Sequence, residues 1–125
     1  MRAWVLATTA IACMSYANVS SAAEIRFTPD SIARGKLLYI HMCVECHSAD
    51  GKSTTDVIAD SEDLSDPTVY RNGSSNEAID KSIWDGAGVG MPAYRGQLKS
   101  YDEVIYMRHF IQSLWPEKLR PALVK

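Results

Sequence analysis

The stretch Cys43-Val44-Glu45-Cys46-His47 decides how this 125-residue chain is interpreted. It sets two thiols three positions apart and places a histidine directly behind the second thiol. A C-x-x-C pair alone is ambiguous, because it also occurs in redox-active dithiols and as half of a structural zinc site. The rest of the chain has to separate these alternatives.

The surrounding sequence argues against zinc and against a dithiol. A structural zinc site needs about four ligands, and the mature chain offers only His41 and His109 as further histidines and no second cysteine pair. A thioredoxin-type dithiol belongs to a βαβ setting, whereas this motif closes a predicted helix and no strand is convincing. C-x-x-C-H is the attachment motif of c-type haem. We therefore predict one haem c bound covalently through Cys43 and Cys46, with His47 as the proximal iron ligand.

The first 23 residues have the pattern of a secretory signal peptide. A positively charged start is followed by an uncharged, mostly apolar run over residues 3–14 and then by small residues. This run is short for a membrane span. Cleavage after Ala22 or Ala23 would remove this leader, and residues 24–125 would form one domain in the periplasm. An uncleaved anchor and an N-terminus lipidated at Cys13 are the alternatives.

Charge limits the partners of the mature segment. Residues 24–125 carry 12 Lys or Arg against 15 Asp or Glu, so we expect no nucleic-acid partner, which would favour a basic patch. No second apolar run could cross a membrane. The acidic residues concentrate between positions 56 and 66, which is typical of a solvated loop and, alternatively, of a docking patch for a basic protein. They are Asp56, Asp60, Glu62, Asp63 and Asp66.

The segment before the motif is a predicted helix. It opens at Pro29-Asp30-Ser31, with Asp30 or Ser31 as the N-cap, and ends at the haem motif. Gly35 is small enough to let this helix cross closely over Phe110 of the last helix. His41 and His109 are expected to face solvent.

Two further helices follow the motif, with polar loops between them. One starts at a capping box over residues 74–77, runs to about Asp85 and is stopped by Gly86. The last starts at a capping box over residues 100–103 and runs to about Leu114. A short helical turn is predicted within residues 66–73, and the last nine residues form a tail. The fold class is therefore all-α.

The chain resembles the class I c-type cytochromes along nearly all of its mature length. The matching segments are Gly35-Lys36-x-Leu38-Tyr39, Gly51, Asp63-Leu64, Trp84-Asp85-Gly86, Gly90-Met91-Pro92-Ala93-Tyr94 and Phe110 to Leu114. The resemblance implies a small cytochrome c-type helical bundle around one haem. One departure is that no Gly-Pro follows the motif between Gly51 and Leu64, so the group that accepts the ring N–H of His47 is not identified.

The sixth iron ligand is predicted to be Met91. The mature candidates are His41, Met42, Met91, Met107 and His109. Met91 lies in a glycine-rich loop, which can approach a flat cofactor closely, and the resemblance makes this segment the distal-ligand loop. Met91 together with His47 would give the His/Met iron of many cytochromes c.

These features predict a one-electron carrier that is not an enzyme, working as a monomer. Two protein ligands on iron leave no position for a substrate, and a neutral methionine raises the reduction potential. Electrons would come from a periplasmic dehydrogenase and pass to an oxidase or another cytochrome. Residues 63–115 are also similar to small cytochromes that serve periplasmic quinoprotein alcohol dehydrogenases.

Two alternative functions are open on the sequence. One is a haem enzyme or gas sensor with an open sixth position on the iron, and the other is a structural or thiol-redox module without haem.

Overall fold

The computed structural model describes residues 24–53 and 61–125. The predicted signal peptide and the acidic residues Asp56 and Asp60 lie outside them. Four α-helices and two short 3-10 turns make up the regular structure of the described part. They are α1 (Pro29–Met42), α2 (Val44–His47), α3 (Asn76–Asp85), α4 (Tyr101–Ser113) and the turns Pro67–Val69 and Glu117–Leu119.

The predicted all-α class is confirmed. Over the described ranges no strand forms, and the only β-type pairing is an isolated bridge between Ala87 and Met91. No helix in those ranges combines the length and the apolar character needed to cross a membrane.

The N-cap of helix α1 is Thr28, which lies two positions before Asp30 and three before Ser31, the two predicted N-caps. The Thr28 hydroxyl accepts the N–H of Ser31 at 3.1 Å, and the Ser31 hydroxyl accepts the N–H of Thr28 at 3.0 Å. This reciprocal pair satisfies two backbone donors that a helix start leaves without partners. Pro29 takes the first helical position, where its missing N–H costs nothing.

The close crossing of α1 and α4 is confirmed and forms the centre of the core. A Cβ on Gly35 would overlap the carbonyl oxygen of Tyr106 and touch the Cβ of Phe110, so the crossing requires glycine. Tyr39 has no exposed surface, and the centroid of its ring lies 4.8 Å from the centroid of the Phe110 ring. Val104 and Met107 are buried as completely.

Helix α3 ends at Asp85 as predicted, but its N-cap is Ser75, one residue after the start of the predicted capping box. A buried ion pair ties it to α4. The Ser75 hydroxyl accepts the N–H of Ala78 at 3.2 Å, and Gly86 ends the helix at φ +84°. Arg108 Nε donates to Asp80 Oδ1 at 2.7 Å, and both side chains are about nine-tenths buried.

The start of α4 differs from the predicted capping box. Ser100 is the N-cap, but its side chain makes no capping hydrogen bond. The Glu103 carboxylate instead accepts the N–H of Lys99 at 2.8 Å. The glutamate half of a capping box is therefore present, but it accepts the N–H of Lys99 and not that of the N-cap Ser100.

Two predictions about exposed residues are wrong, one in α4 and one at the C-terminus. His109 was expected to face solvent but is only 3% exposed, because the segment before α1 covers it. The last residues are not a loose tail, since Val124 donates its N–H to the carbonyl of Phe27 at 2.9 Å. His41, by contrast, is exposed as predicted.

Candidate functional site

The C-x-x-C-H motif forms its own helical turn at the end of α1. The N–H of Cys43 donates to Tyr39 O at 2.8 Å and completes α1, and α2 then starts at Val44. Within this turn the N–H of His47 donates to the carbonyl of Cys43 at 2.9 Å. Residues three positions apart share a face of a helical turn, so the two thiols point to the same side.

Tyr39 anchors the end of this turn to the core. Its hydroxyl donates to the carbonyl of Ser48 at 2.7 Å. Ser48 has a left-handed backbone, with φ +59°, which turns the chain sharply away after His47. A fully buried ring thus fixes the position of the motif, and burial raises the pKa of the Tyr39 hydroxyl far enough to keep it a neutral donor.

The ring of His47 is held by a backbone carbonyl 15 residues further along the chain. Its Nδ1 lies 3.3 Å from Glu62 O, and we assign Nδ1 as the donor because a carbonyl can only accept. Burial lowers the pKa of His47, and the contact with Glu62 opposes this shift in part. The neutral ring then has Nε2 available for a metal. Glu62 O therefore takes the role that the absent Gly-Pro leaves open.

The predicted distal-ligand loop is closed by two hydrogen bonds. The N–H of Ala87 donates to Met91 O at 3.0 Å, and the N–H of Met91 donates to Ala87 O at 3.2 Å. Gly86 is required here, because a Cβ on it would lie 2.7 Å from Met91 O and its φ is positive.

Tyr94 ties this loop to the proximal side. Its N–H donates to Ile83 O at 3.1 Å, and its hydroxyl donates to the carbonyl of Met42 at 2.9 Å. Met42 is the residue before Cys43, so a single side chain spans the distance between the Met91 loop and the attachment motif. The sequence places Tyr94 only at the end of the segment that resembles the distal-ligand loop, and it does not predict this bridge.

A cavity of about 550 Å³ lies between these two segments. All four predicted site residues, Cys43, Cys46, His47 and Met91, line it. Its other walls come mainly from the segment before α3 and from α3 itself, with one residue from α4. They include Leu64, Tyr70, Arg71, Ile79, Ile83, Tyr94 and Ile111.

The residues of the cavity suit a haem. The volume is typical of small-molecule sites, which span roughly 300–1,000 Å³. Two thiols and an imidazole come from one wall, a thioether comes from another segment, and much of the remaining lining is aliphatic. Neither Cys43 nor Cys46 is in a disulfide.

The other candidates for the sixth ligand lie elsewhere. Met107 is fully buried in the core, and Met42 packs against that core. His109 Nδ1 is 2.9 Å from the hydroxyl of Ser31, and His41 is exposed. None of these four lines the cavity.

A family model described as "Cytochrome C oxidase, cbb3-type, subunit III" matches residues 30–109, well over half of the chain. The chain belongs to this family of c-type cytochrome domains. The predicted family is thereby confirmed, and with it haem c as the cofactor and electron transfer as the general role of this cytochrome.

Solved structures with the same fold include two cytochromes cL and one chain of an HAO-like protein complex. Cytochrome cL from the marine methylotroph Methylophaga aminisulfidivorans has a TM-score of 0.60 at 19% identity, with 70% of this chain and 55% of that chain covered. Cytochrome cL from Hyphomicrobium denitrificans gives 0.57 at 18% identity, with 69% and 49% covered. A reducing HAO-like protein complex from Kuenenia stuttgartiensis gives 0.62 at 24% identity, with 74% and 47% covered.

These likenesses establish the fold of the cytochrome. At identities below 25% they carry no detail of function, and the cytochrome spans about half the length of each of these structures. No curated protein sequence matches it significantly.

The acidic residues within the described ranges are engaged in local structure. Glu62 binds Arg71, Asp63 Oδ1 accepts the N–H of Ser65 at 2.9 Å, and Asp66 Oδ1 accepts the N–H of Thr68 at 2.9 Å. These contacts favour the solvated-loop interpretation of the acidic stretch over the docking patch.

Proposed function

We propose that this cytochrome is a periplasmic one-electron carrier in which Cys43 and Cys46 hold the haem and His47 and Met91 ligate its iron. The haem supplies an iron that exchanges single electrons. The observation that carries the proposal is that Met91 and the motif, which belong to two separate segments of the chain, line the same cavity. If His47 and Met91 both bind the iron, they would leave no position on it for a substrate, so we infer a carrier rather than an enzyme.

The protein contributes rigid ligands to this role. The His47 ring is held through Nδ1 by Glu62 O, and a histidine with such a partner is a better-oriented and more basic ligand. The Met91 backbone is held in the bridge to Ala87. Methionine is neutral, and as an axial ligand it raises the reduction potential.

Replacing Met91 with alanine tests the ligation. We expect loss of the weak long-wavelength sulfur–iron band of the oxidised protein, a lower reduction potential, and binding of carbon monoxide to the reduced protein. Met42→Ala is the matched control, because Met42 is also partly buried but does not line the cavity. Carbon monoxide binding by the unaltered protein would instead favour a haem enzyme or gas sensor with an open sixth position.

The partner proposal has a narrower basis. We infer a periplasmic dehydrogenase of the quinoprotein alcohol dehydrogenase kind as the electron donor, from the similarity of residues 63–115 to the cytochromes that serve such enzymes. An oxidase or another cytochrome would be the acceptor. Stopped-flow reduction by such a dehydrogenase with its alcohol substrate tests this, and a rate no faster than that of an unrelated c-type cytochrome would exclude this donor class.

Location is tested separately. Periplasmic export with cleavage after Ala22 or Ala23 predicts a mature protein that begins at Ala23 or Glu24. N-terminal sequencing and intact mass of protein from its native host distinguish this from a retained leader or a lipid on Cys13.

A further inference from the structure

Glu62 makes one contact through its backbone carbonyl and another through its side-chain carboxylate. Its backbone carbonyl lies 3.3 Å from His47 Nδ1, and its carboxylate lies on Arg71. One residue therefore joins the proposed proximal ligand to the wall formed by the segment before α3.

The carboxylate contact is made with both the backbone and the side chain of Arg71. The backbone N–H of Arg71 donates to Glu62 Oε1 at 2.8 Å, and the guanidinium Nε lies 3.2 Å from the same oxygen. The Glu62 side chain is 25% exposed, whereas that of Arg71 is 61% exposed. Charge-assisted hydrogen bonds to backbone N–H groups are stronger than neutral ones, while an exposed ion pair contributes little. The backbone contact thus dominates.

The neighbouring part of the loop is held independently of Glu62. Leu64 donates its N–H to Gly51 O at 2.8 Å, and its carbonyl accepts the hydroxyl of Tyr70 at 2.6 Å. Tyr70 is in turn bonded by the indole N–H of Trp115 at 3.1 Å. Removal of the Glu62 carboxylate leaves these anchors in place, so the loop keeps its fold.

The contact with His47 is sensitive to small movements of the Glu62 backbone. A separation of 3.3 Å is at the long end for an N–H···O hydrogen bond. A carbonyl that moves outward by a few tenths of an ångström no longer accepts the ring proton. What keeps Glu62 O in place therefore matters to the orientation and basicity of His47.

We propose that Glu62 is a positioning residue for His47, and that the anchoring of its carboxylate on Arg71 holds its backbone carbonyl against the His47 ring. This inference rests on His47 being the proximal ligand, as proposed above. The Glu62–Arg71 contact gives this cytochrome a substitute for the rigidity that a Gly-Pro would supply.

The rate at which the His47 Nδ1 proton exchanges with solvent measures this role. In reduced, diamagnetic holoprotein with ¹⁵N-labelled histidine, NMR follows that proton directly. We expect about tenfold faster exchange in Glu62→Ala, equivalent to 1.4 kcal/mol. Glu62→Gln keeps a neutral acceptor and Arg71→Ala keeps the backbone donor, so each should give a smaller increase of about threefold. The double variant Glu62→Ala/Arg71→Ala should match Glu62→Ala, because coupled contacts are not additive.

Asp66→Ala is the matched control. Its carboxylate accepts the N–H of Thr68 at 2.9 Å in the same acidic stretch, so the substitution removes the same charge and the same kind of backbone contact without touching the carbonyl at His47. Exchange in Asp66→Ala should equal that of the unaltered protein. Exchange in Glu62→Ala that stays within twofold of the unaltered protein, or that rises equally in Asp66→Ala, would overturn the positioning role.

The same spectra separate this inference from the ligation itself. Binding to the haem iron would give the His47 ring signals a large upfield ring-current shift. Absence of that shift in the unaltered protein would refute the ligation, whereas a normal shift with unchanged exchange in the Glu62 variants would refute the positioning role alone. If Glu62→Ala does not accumulate as holoprotein, Glu62→Gln provides the decisive comparison.

Discussion

A half-buried histidine, His47, and a buried one, His109, lie in different parts of this cytochrome and have much in common. His47 has its Nδ1 3.3 Å from Glu62 O, and His109 has its Nδ1 2.9 Å from the Ser31 hydroxyl. Burial lowers the pKa of His47, and burial next to Arg108 lowers that of His109 to about 4. Each ring is thus neutral at pH 7 and held at one nitrogen.

Their surroundings separate a candidate iron ligand from a core residue. His47 shares a cavity of about 550 Å³ with two thiols and the Met91 thioether. His109 instead packs edge-on against the ring of Phe27, at 5.4 Å between centroids, where the segment before α1 covers α4. Both imidazoles are neutral and hydrogen-bonded at one nitrogen. Only His47 lies beside two thiols and a thioether, and these neighbours make it a candidate iron ligand. Four experiments test this contrast.

The largest effect is expected when alanine variants of the two histidines are compared. His47→Ala should abolish the low-spin haem spectrum completely, because the proximal ligand is lost. His109→Ala should leave that spectrum unchanged and lower only the free energy of unfolding. Absorption spectra of both purified holoproteins make the measurement, and a low-spin spectrum retained in His47→Ala would remove the basis of the comparison.

Phe27→Ala should destabilise the His109 region without affecting the haem. Phe27 is 8% exposed, and truncation of a buried phenylalanine costs about 3 kcal/mol or more. Urea unfolding measures the loss. Leu37→Ala, at a residue of α1 that is 64% exposed, is the control and should change stability by less than about 0.5 kcal/mol. A shifted haem spectrum in Phe27→Ala would mean that the two regions are coupled.

Acid should destabilise the fold through His109. Its folded-state pKa of about 4 lies below the ordinary value of 6.5, so the unfolded chain takes up the proton first as the pH falls. The His109 contribution to the free energy of unfolding is therefore present above pH 6.5 and declines by about 3 kcal/mol by pH 4. Urea unfolding between pH 7 and pH 4 should show this decline in the unaltered protein, with a shallower one in His109→Gln. If the free energy of unfolding fell equally with pH in the two proteins, the acid sensitivity would come from the carboxylates and not from His109.

The smallest effect is expected at the C-terminus. Removal of residues 121–125 deletes the hydrogen bond from Val124 N–H to Phe27 O, and one such bond contributes about 1 kcal/mol. Thermal unfolding should therefore show a modest decrease in stability with an unchanged haem spectrum. Deletion of Lys125 alone is the control and should have no measurable effect.

Features confined to a few consecutive residues could be predicted from the sequence. The haem motif specifies its chemistry within five positions, since two thiols and an imidazole on one turn need no distant partner. Gly86 ends α3 for a backbone reason that is equally local. The Gly35 crossing could also be predicted, because a glycine in an amphipathic helix indicates a close neighbour.

Features that depend on which distant segments meet could not be predicted. Asp30 and Ser31 are as good N-cap types as Thr28, and the reciprocal bond to Ser31 decided in favour of Thr28. His109 has the pattern of an exposed helix position until Phe27 folds over it.

The sequence by itself therefore determined the fold class and the haem motif, because each depends on local spacing and residue type. The Met91 loop was predicted from its glycines together with the resemblance to class I cytochromes. Only the tertiary structure decided that Glu62 O accepts the ring proton of His47 across 15 residues, that Tyr94 bridges the two sides of the cavity, and that His109 is buried. The physical reason is that a backbone carbonyl is present at every residue and carries no sequence signal. Its partner is selected by where the chain brings it once the helices have packed.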